Sequence, residues 1–318
     1  MKYKNKNIPA AWSYNTSTHS LLESIISPCE LKSNEILVAN KIAGINPVDW
    51  KFIQSNPLNW KDGHMPGVDG AGVVIEVGKN VDKALLGQRV AFHQSLKKQG
   101  SFARFTVLKH GRVMKVPEKM SFALAGGLPC PMLTAWQAFS KIPLKAGRNV
   151  LIVGVGAVNK IVIQLLSKAG FNVDVLSTSL SVEMSKALGV IRLLRAPEEI
   201  TLNYHAIFDA VGQDSASRFV KHLKANGHIV AIQDRIDKPL DPPFTRTISY
   251  HEIALGALHD YGDSEDWTEL MKAGEQLMEL ISSDQLIIDE PVVFSFDKLP
   301  QALAHSEETK LKTVVKVD

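Results

Sequence analysis

The stretch LIVGVGAVNKIVIQLL, residues 151–166, sets Gly154 and Gly156 between an apolar run and a run with helical spacing. A strand, a glycine turn and a helix in that order can bring backbone N–H groups and a helix N-terminus against a pyrophosphate. The first glycine permits the tight turn, and the second lets the backbone approach the phosphates. A third, three residues later, normally lets the helix pack close to the strand. Asn159 stands in that third place, and its side chain is expected to turn aside or to hydrogen-bond a neighbour or the phosphate. Gly154, Val155, Gly156, Ala157, Val158 and Asn159 are therefore candidates for phosphate contact. A G-x-G pair alone is a weak signal. Its place between strand and helix sets it apart from a plain connecting turn.

The end of the next strand selects the nucleotide. An acid there holds a ribose 2′-hydroxyl, and its absence leaves room for a 2′-phosphate. The strand NVDVL runs into Ser177, Thr178 and Ser179, which offer hydroxyls and no carboxylate, so the expected cofactor is NADPH rather than NADH. No Arg or Lys lies in this turn to pair with the phosphate. Asp174 is the rival acid at the expected distance from the glycines, and the preference holds if it lies inside the strand.

The elements that must position these residues fall into two textures. Residues 1–122 read as short strands and turns, among them NEILVANKIAGI, GVDGAGVVIEV, GQRVAF and SFARFTVLK. This half predicts a β-rich barrel or sandwich. Helical spacing begins in SFALAGGLPCPMLTAWQAF, interrupted by Pro129 and Pro131. Residues 123–250 then alternate strand and helix with apolar, β-branched strands, which predicts an α/β fold with a doubly wound parallel sheet. Residues 251–318 leave that alternation with a long amphipathic helix, DWTELMKAGEQLMELISSDQ, and a final strand, KTVVKVD. This tail has the texture of the first half and is expected to pack back onto it.

Bulk properties exclude several classes. The 318 residues carry 36 basic and 33 acidic side chains, a net charge of +3, which is no electrostatic footprint for nucleic acid. Two cysteines, Cys29 and Cys130, cannot build a disulfide framework or a four-cysteine zinc site. The N-terminal MKYKNKNIPAAW lacks the apolar core of a secretory signal, and no apolar run reaches membrane-spanning length. The expectation is a soluble cytoplasmic protein.

Several segments in order resemble the medium-chain dehydrogenase/reductase superfamily, in its zinc-free quinone oxidoreductase-like branch. They are GINPVDWK (44–51), MPGVDGAGVVIEVGKNV (65–81), GQRVAF (87–92), GSFARFTVL (100–108), LPCPMLTAWQAF (128–139), the glycine turn and AIFDAVG (206–212). The resemblance implies a Rossmann domain inserted into a GroES-like catalytic domain, with cofactor and substrate in the cleft. It further implies a homodimer that reduces quinones or α,β-unsaturated carbonyls with NADPH. Zinc-dependent relatives place a Cys in the segment matching GINPVDW and a Gly-His-Glu where this chain has PGVDGAG. Asn46 and Asp69 occupy those neighbourhoods here. His64 and His93 remain, and without a thiolate or carboxylate partner they make a poor zinc site.

By family position Asn46 holds the nicotinamide ribose or the substrate oxygen, since an amide is a plausible oxyanion donor. Asp49 joins it as a catalytic candidate, although NPVD also reads as a proline turn with an Asx cap, with Asp49 ordering the loop. The resemblance adds Thr134, which also reads as a helix cap, and Asp209, Ala210, Val211 and Gly212 beneath the cofactor. It adds Ile232, Leu255, Gly256 and Ala257 beside the nicotinamide, and Lys312 near the cofactor. Cys130 is expected to be buried and inert. Several relatives carry a tyrosine after GINPVDW, whereas Trp50, Lys51 and Phe52 stand here, so the proton donor is unassigned. Asn159, Leu311 and ALGVIRLL also depart from the family pattern and leave a second reading open, a degenerate member that binds nucleotide without catalysis. A zinc alcohol dehydrogenase is a third reading, which requires bound metal.

Overall fold

The computed structural model describes residues 11–25 and 30–317, and Cys29 lies outside the described residues. The described residues form two compact units, one of residues 11–25, 30–130, 256–283 and 289–317, the other of 131–255 and 284–288. In chain order the first unit opens with β1 (Ala11–Asn15), β2 (Ser20–Ser24), β3 (Glu35–Ile45), α1 (Pro47–Ser55), β4 (Asp69–Val77), β5 (Arg89–His93), β6 (Phe105–Lys109), β7 (Met114–Lys115) and α2 (Phe122–Gly127). The α/β region follows: α3 (Pro129–Ser140), β8 (Asn149–Val153), α4 (Ala157–Lys168), β9 (Asn172–Leu176), α5 (Val182–Ala187), β10 (Arg192–Leu194), β11 (Tyr204–Asp209), α6 (Gln213–Phe219), β12 (Leu223–Ala231) and β13 (Ser249–Glu252). The tail supplies α7 (Leu258–Tyr261), α8 (Ser264–Ser282), β14 (Val292–Ser295), α9 (Leu299–Thr309) and β15 (Thr313–Lys316).

The first unit is the GroES-like one. Its main sheet runs β14-β15-β3-β4-β5-β7, with β6 also on β3. The eleven-residue β3 serves two partners in succession. Its first half pairs with β6 and its second half with β15, which joins the tail to this sheet. These pairings bring four strand ends together, because Thr313 lies opposite Ile45, Gly44 opposite Asp69, and Asp69 opposite His93. The strand ends are held from below by an apolar cluster that includes Ala43, Ile45, Phe102 and Val315, all at most 1% exposed.

The second unit is the Rossmann one, a six-stranded parallel sheet in the order β10-β9-β8-β11-β12-β13. Its central strands are apolar and β-branched because helices cover both faces of such a sheet. Leu151, Ile207, Phe219 and Ile229 are within 3% of complete burial, and each such side chain contributes roughly 1.5–3 kcal/mol.

Local departures from the sequence expectation have physical causes. NPVDW is not a proline turn but the start of α1. Pro47 takes the first helical position, where its missing N–H costs nothing. Two prolines also fail to break α3, because Pro129 and Pro131 both lie in its first turn, where N–H groups have no intrahelical partner. The edge strands β10 and β13 escape the strand–helix alternation read from sequence, being only three and four residues long. Asp174 does lie inside β9. It is buried and opposite Arg192 of β10, whose Nη2 donates to it at 2.6 Å while the Tyr204 hydroxyl donates at 2.8 Å.

His205, His228 and His251 stand on the neighbouring strands β11, β12 and β13, with His228 Nδ1 3.1 Å from His251 Nε2. Burial pushes all three below the ordinary histidine range, His228 to about 4 with help from the neighbouring His205. A depressed folded-state value stabilises the fold above the unfolded value of roughly 6.5 and is lost as pH falls. The urea unfolding midpoint should therefore drop as pH falls from about 6.5 toward 4. His228→Asn should flatten that drop, and an unchanged slope in the variant would contradict the assignment.

Candidate functional site

The parallel sheet ends in one aligned row. Val153 of β8 lies beside Leu176 of β9 and Asp209 of β11, Leu176 beside Leu194 of β10, and Asp209 beside Ala231 of β12. Gly154, Ser177, Arg195, Ala210 and Ile232 therefore leave the sheet at the same edge, the carboxyl ends of the strands. The strand order reverses between β8 and β11, the position where open α/β sheets bind ligands.

At that reversal Gly154 takes φ +75°, a left-handed conformation that suits glycine, and a Cβ there would meet the Val211 side chain at 2.8 Å. Gly156 caps α4, is exposed, and would place a Cβ in open space, so backbone alone faces whatever lies above it. Ala157 is exposed, and Val155 and Val158 are half-buried. A glycine turn followed by the free N–H groups of a twelve-residue helix fits a pyrophosphate. Asn159 has a different task. Fully buried, its Nδ2 donates to Gly154 O at 2.7 Å and Val153 O at 3.3 Å, so it ties the helix to the turn where a third glycine would pack.

The next turn is ordered from within. Ser177 is buried and its Oγ accepts from the N–H groups of Ser179 and Leu180, at 3.3 and 3.1 Å, while Thr178 and Ser179 are exposed. Sequence reading found no cation here, yet the fold delivers one from the following strand. Exposed Arg195, one residue past β10, donates through Nη1 to Ser177 O at 2.7 Å and Leu180 O at 2.8 Å. Its Nε and Nη2 have no partner among the described residues. The only sequence signal was the RLLR run, which names no partner until β10 is laid beside β9.

The other expected residues divide by task. Buried Asp209 builds its loop, accepting from Val211 N, Gly212 N and the Ser215 hydroxyl at 2.8, 3.0 and 2.6 Å. Ala210 and Gly212 are half-buried and Val211 exposed beside it, and Ile232 N–H donates to Asp209 O at 2.8 Å. Thr134 lies in the middle of α3, half-buried, so it is not a helix cap. Leu255 is buried, while Gly256 and Ala257 are exposed in a single 3₁₀ turn.

In the GroES-like unit the converging strand ends build a polar cluster around Asp69, which has no exposed surface. Asp69 accepts from Asn46 Nδ2 at 2.8 Å, and the Cys130 N–H donates to both its oxygens, at 3.0 and 2.9 Å. His93 Nδ1 lies 3.0 Å from the same carboxylate, so His93 does have the carboxylate partner that sequence reading denied it. Lys312 donates to Asn46 Oδ1 at 2.7 Å and Ile45 O at 3.1 Å, with Asp69 at 3.8 Å. The Leu311 departure leaves that placement intact, its side chain being half exposed to solvent. The amide of Asn46 is thus engaged at both ends, with one N–H and one lone pair left for a ligand.

Asp49, beside this cluster, is completely buried. It accepts from Asn46 N at 2.8 Å and Val68 N at 3.1 Å, closing the start of α1 and fixing the entry to β4. Burial lifts it to about 7, with the nearby Asp69 charge pushing the same way against those two hydrogen bonds. It orders the loop and offers no surface to a substrate. Cys130 is half-buried rather than buried, and its backbone contributes to the cluster. His64 stacks on Trp60 at 4.5 Å, and no three His, Cys, Asp or Glu side chains among the described residues are arranged to hold a metal.

A family model for the alcohol dehydrogenase GroES-like domain matches residues 32–118. A chloroplast envelope quinone oxidoreductase homolog of Arabidopsis thaliana is 31% identical over 219 residues, 63% of this chain and 67% of that protein. The NADPH-dependent alkenal/one oxidoreductase of the same plant is 30% identical over 237 residues, 69% of this chain and 60% of that protein. An alcohol dehydrogenase superfamily structure from Novosphingobium aromaticivorans superposes with a TM-score of 0.84 at 21% identity, covering 97% of this chain and 99% of that one. The chain belongs to the medium-chain dehydrogenase/reductase superfamily, in its quinone oxidoreductase-like branch, and to a family of oxidoreductases.

Asn159→Ala should lower unfolding stability by about 1 kcal/mol, because it removes the side-chain donor to the half-buried Gly154 carbonyl. Urea unfolding checks this, and an unchanged midpoint would show that the turn closes without the side chain.

Proposed function

We propose that this protein is an NADPH-dependent, zinc-independent reductase of quinones or α,β-unsaturated carbonyls. The observation that carries the reading is the aligned row of strand ends, where a phosphate-fitting glycine turn adjoins a hydroxyl-bearing turn backed by Arg195. In this reading Gly154, Gly156 and the start of α4 hold the pyrophosphate, and Thr178, Ser179 and Arg195 face the 2′-phosphate. Arg195 supplies the cation that distinguishes NADPH, since a guanidinium matches a phosphate with paired donors. Asp174, the acid that would favour NADH, is occupied by Arg192 and Tyr204 inside the sheet. The relatives, an NADPH-dependent alkenal/one oxidoreductase and a quinone oxidoreductase homolog, point the same way.

NADPH when bound supplies a hydride, and an enone or quinone accepts it without metal activation because its acceptor carbon is already electrophilic. What remains for the protein is to orient the substrate and steady the charge on its oxygen. Asn46 and Lys312 keep donors for that task in the cluster around Asp69. The amide of Asn46 and the encased carboxylate of Asp69 stand where zinc-dependent relatives carry ligands, which supports zinc independence. A homodimer and a cytoplasmic location complete the proposal. Edge strand β13 offers backbone groups to a second copy, and among the described residues no helix is long and apolar enough to cross a membrane.

Titration of purified protein with NADPH and NADH, read by nicotinamide fluorescence, tests the reading. Tighter binding of NADPH is expected. Arg195→Gln should weaken NADPH at least tenfold, about 1.4 kcal/mol, and leave NADH nearly unchanged. Steady-state oxidation of NADPH with benzoquinone or an open-chain enone then tests catalysis. Absence of binding by either nucleotide would overturn the proposal in favour of a non-catalytic family member.

A further inference from the structure

Reduction of an enone adds a hydride to the β-carbon and a proton to the α-carbon; a reduced quinone takes its proton on oxygen. The reductase reading leaves the source of that proton unassigned. Trp50, Lys51 and Phe52 stand where several relatives carry a phenol. The Trp50 indole is no acid near neutral pH, and its Nε1 is buried without a partner. Asp49 is fully buried and holds two backbone amides.

We propose, on the basis of that reading, that His93 is the acid that protonates the reduced substrate, with Asp69 as its positioning residue. His93 ends β5 directly opposite Asp69, which starts β4, and the two are joined at 3.0 Å with both side chains nearly buried. A carboxylate can only accept, so His93 Nδ1 carries a proton and the ring is held in one orientation. Nε2 is left with no partner among the described residues. An imidazolium formed there would face the Asp69 carboxylate, whose remaining contacts are Asn46, Lys312 and the Cys130 N–H. This is the arrangement by which a buried acid orients a catalytic histidine and stabilises its charged form.

A second ring separates the roles. His259 lies 5.5 Å from His93, centroid to centroid. Arg112 Nη1 is 3.1 Å from His259 Nδ1. Because a guanidinium can only donate, His259 Nδ1 must accept and its proton sits on Nε2, which is buried and unpartnered. Burial first, then the neighbouring His93 and Arg112, push His259 down to about 3. Of the two adjacent imidazoles, the one facing Arg112 is fixed with Nδ1 as acceptor and the one facing Asp69 with Nδ1 as donor, so their free Nε2 atoms differ in role.

The step balances. The N–H bond at His93 Nε2 breaks and its proton goes to the substrate α-carbon, or to the oxygen of a quinone. The electron pair of that bond stays on the ring, and the neutral imidazole regains a proton from solvent.

The test uses the full-length protein with 3-methyl-3-penten-2-one as probe. Wild type in D₂O should place deuterium on one face of the α-carbon. His93→Gln should lower kcat about 10²-fold or more, leave NADPH titration unchanged, scramble the deuterated face, and recover part of its rate with added imidazole. Retention of rate and facial selectivity in the variant, with an active wild type, would overturn this inference alone. A wild type inert toward both the enone and benzoquinone would overturn the reductase reading and this inference with it. Should the variant lose NADPH binding, ¹⁵N-histidine spectra of the wild type decide. Protons on Nδ1 of His93 and Nε2 of His259 are expected, and a His93 proton on Nε2 alone would sink the proposal.

Discussion

A carboxylate with no exposed surface cannot stand alone in a protein interior, because removing it from water costs several kcal/mol that only nearby donors can offset. Asp69 is such a group, and the GroES-like unit is arranged around satisfying it. The demand is met from four directions: a neighbouring strand, the loop after β3, the first turn of α3 and the residue before β15. His93 is positioned by the β4–β5 register, and Lys312 by the register of β15 on β3. A slip of one residue in β15 would carry Lys312 away from Asn46. The polar cluster and the sheet therefore specify each other.

The same residues form a closed polar unit. Positions that resemble zinc-ligand neighbourhoods carry an amide and a carboxylate 2.8 Å apart, bonded to each other. Lys312 adds a cation on the far side of the amide. The electron pairs of both groups are used within the cluster, the carboxylate accepting from Asn46 and the amide oxygen from Lys312.

The Rossmann unit obeys a different constraint. Parallel strands in register end at one edge, so residues far apart in sequence share a rim only if their strands are neighbours in the sheet. Arg195 reaches the turn after β9 because β10 lies beside β9, although the intervening chain includes a helix. Asn159 marks the reverse case, a departure from pattern that stays local. A residue too large for the third glycine position is accommodated because its amide fits the two carbonyls that the turn exposes.

The sequence by itself determined the two textures, the strand–helix alternation, the glycine turn and the return of the tail, since each rests on periodicity or on residues within one element. Sequence misjudged α1, where Asp49 reaches back to the Asn46 N–H and turns an expected loop into a helix. It also passed over the edge strands β10 and β13, of three and four residues, too short to show a periodicity. Only the tertiary structure decided that His93 faces a carboxylate, that Lys312 reaches Asn46 across 266 residues, and that Arg195 backs a turn that holds no cation of its own. Such contacts depend on which strands pair and in what register, and that is settled by burial over the whole sheet rather than by the residues on either side.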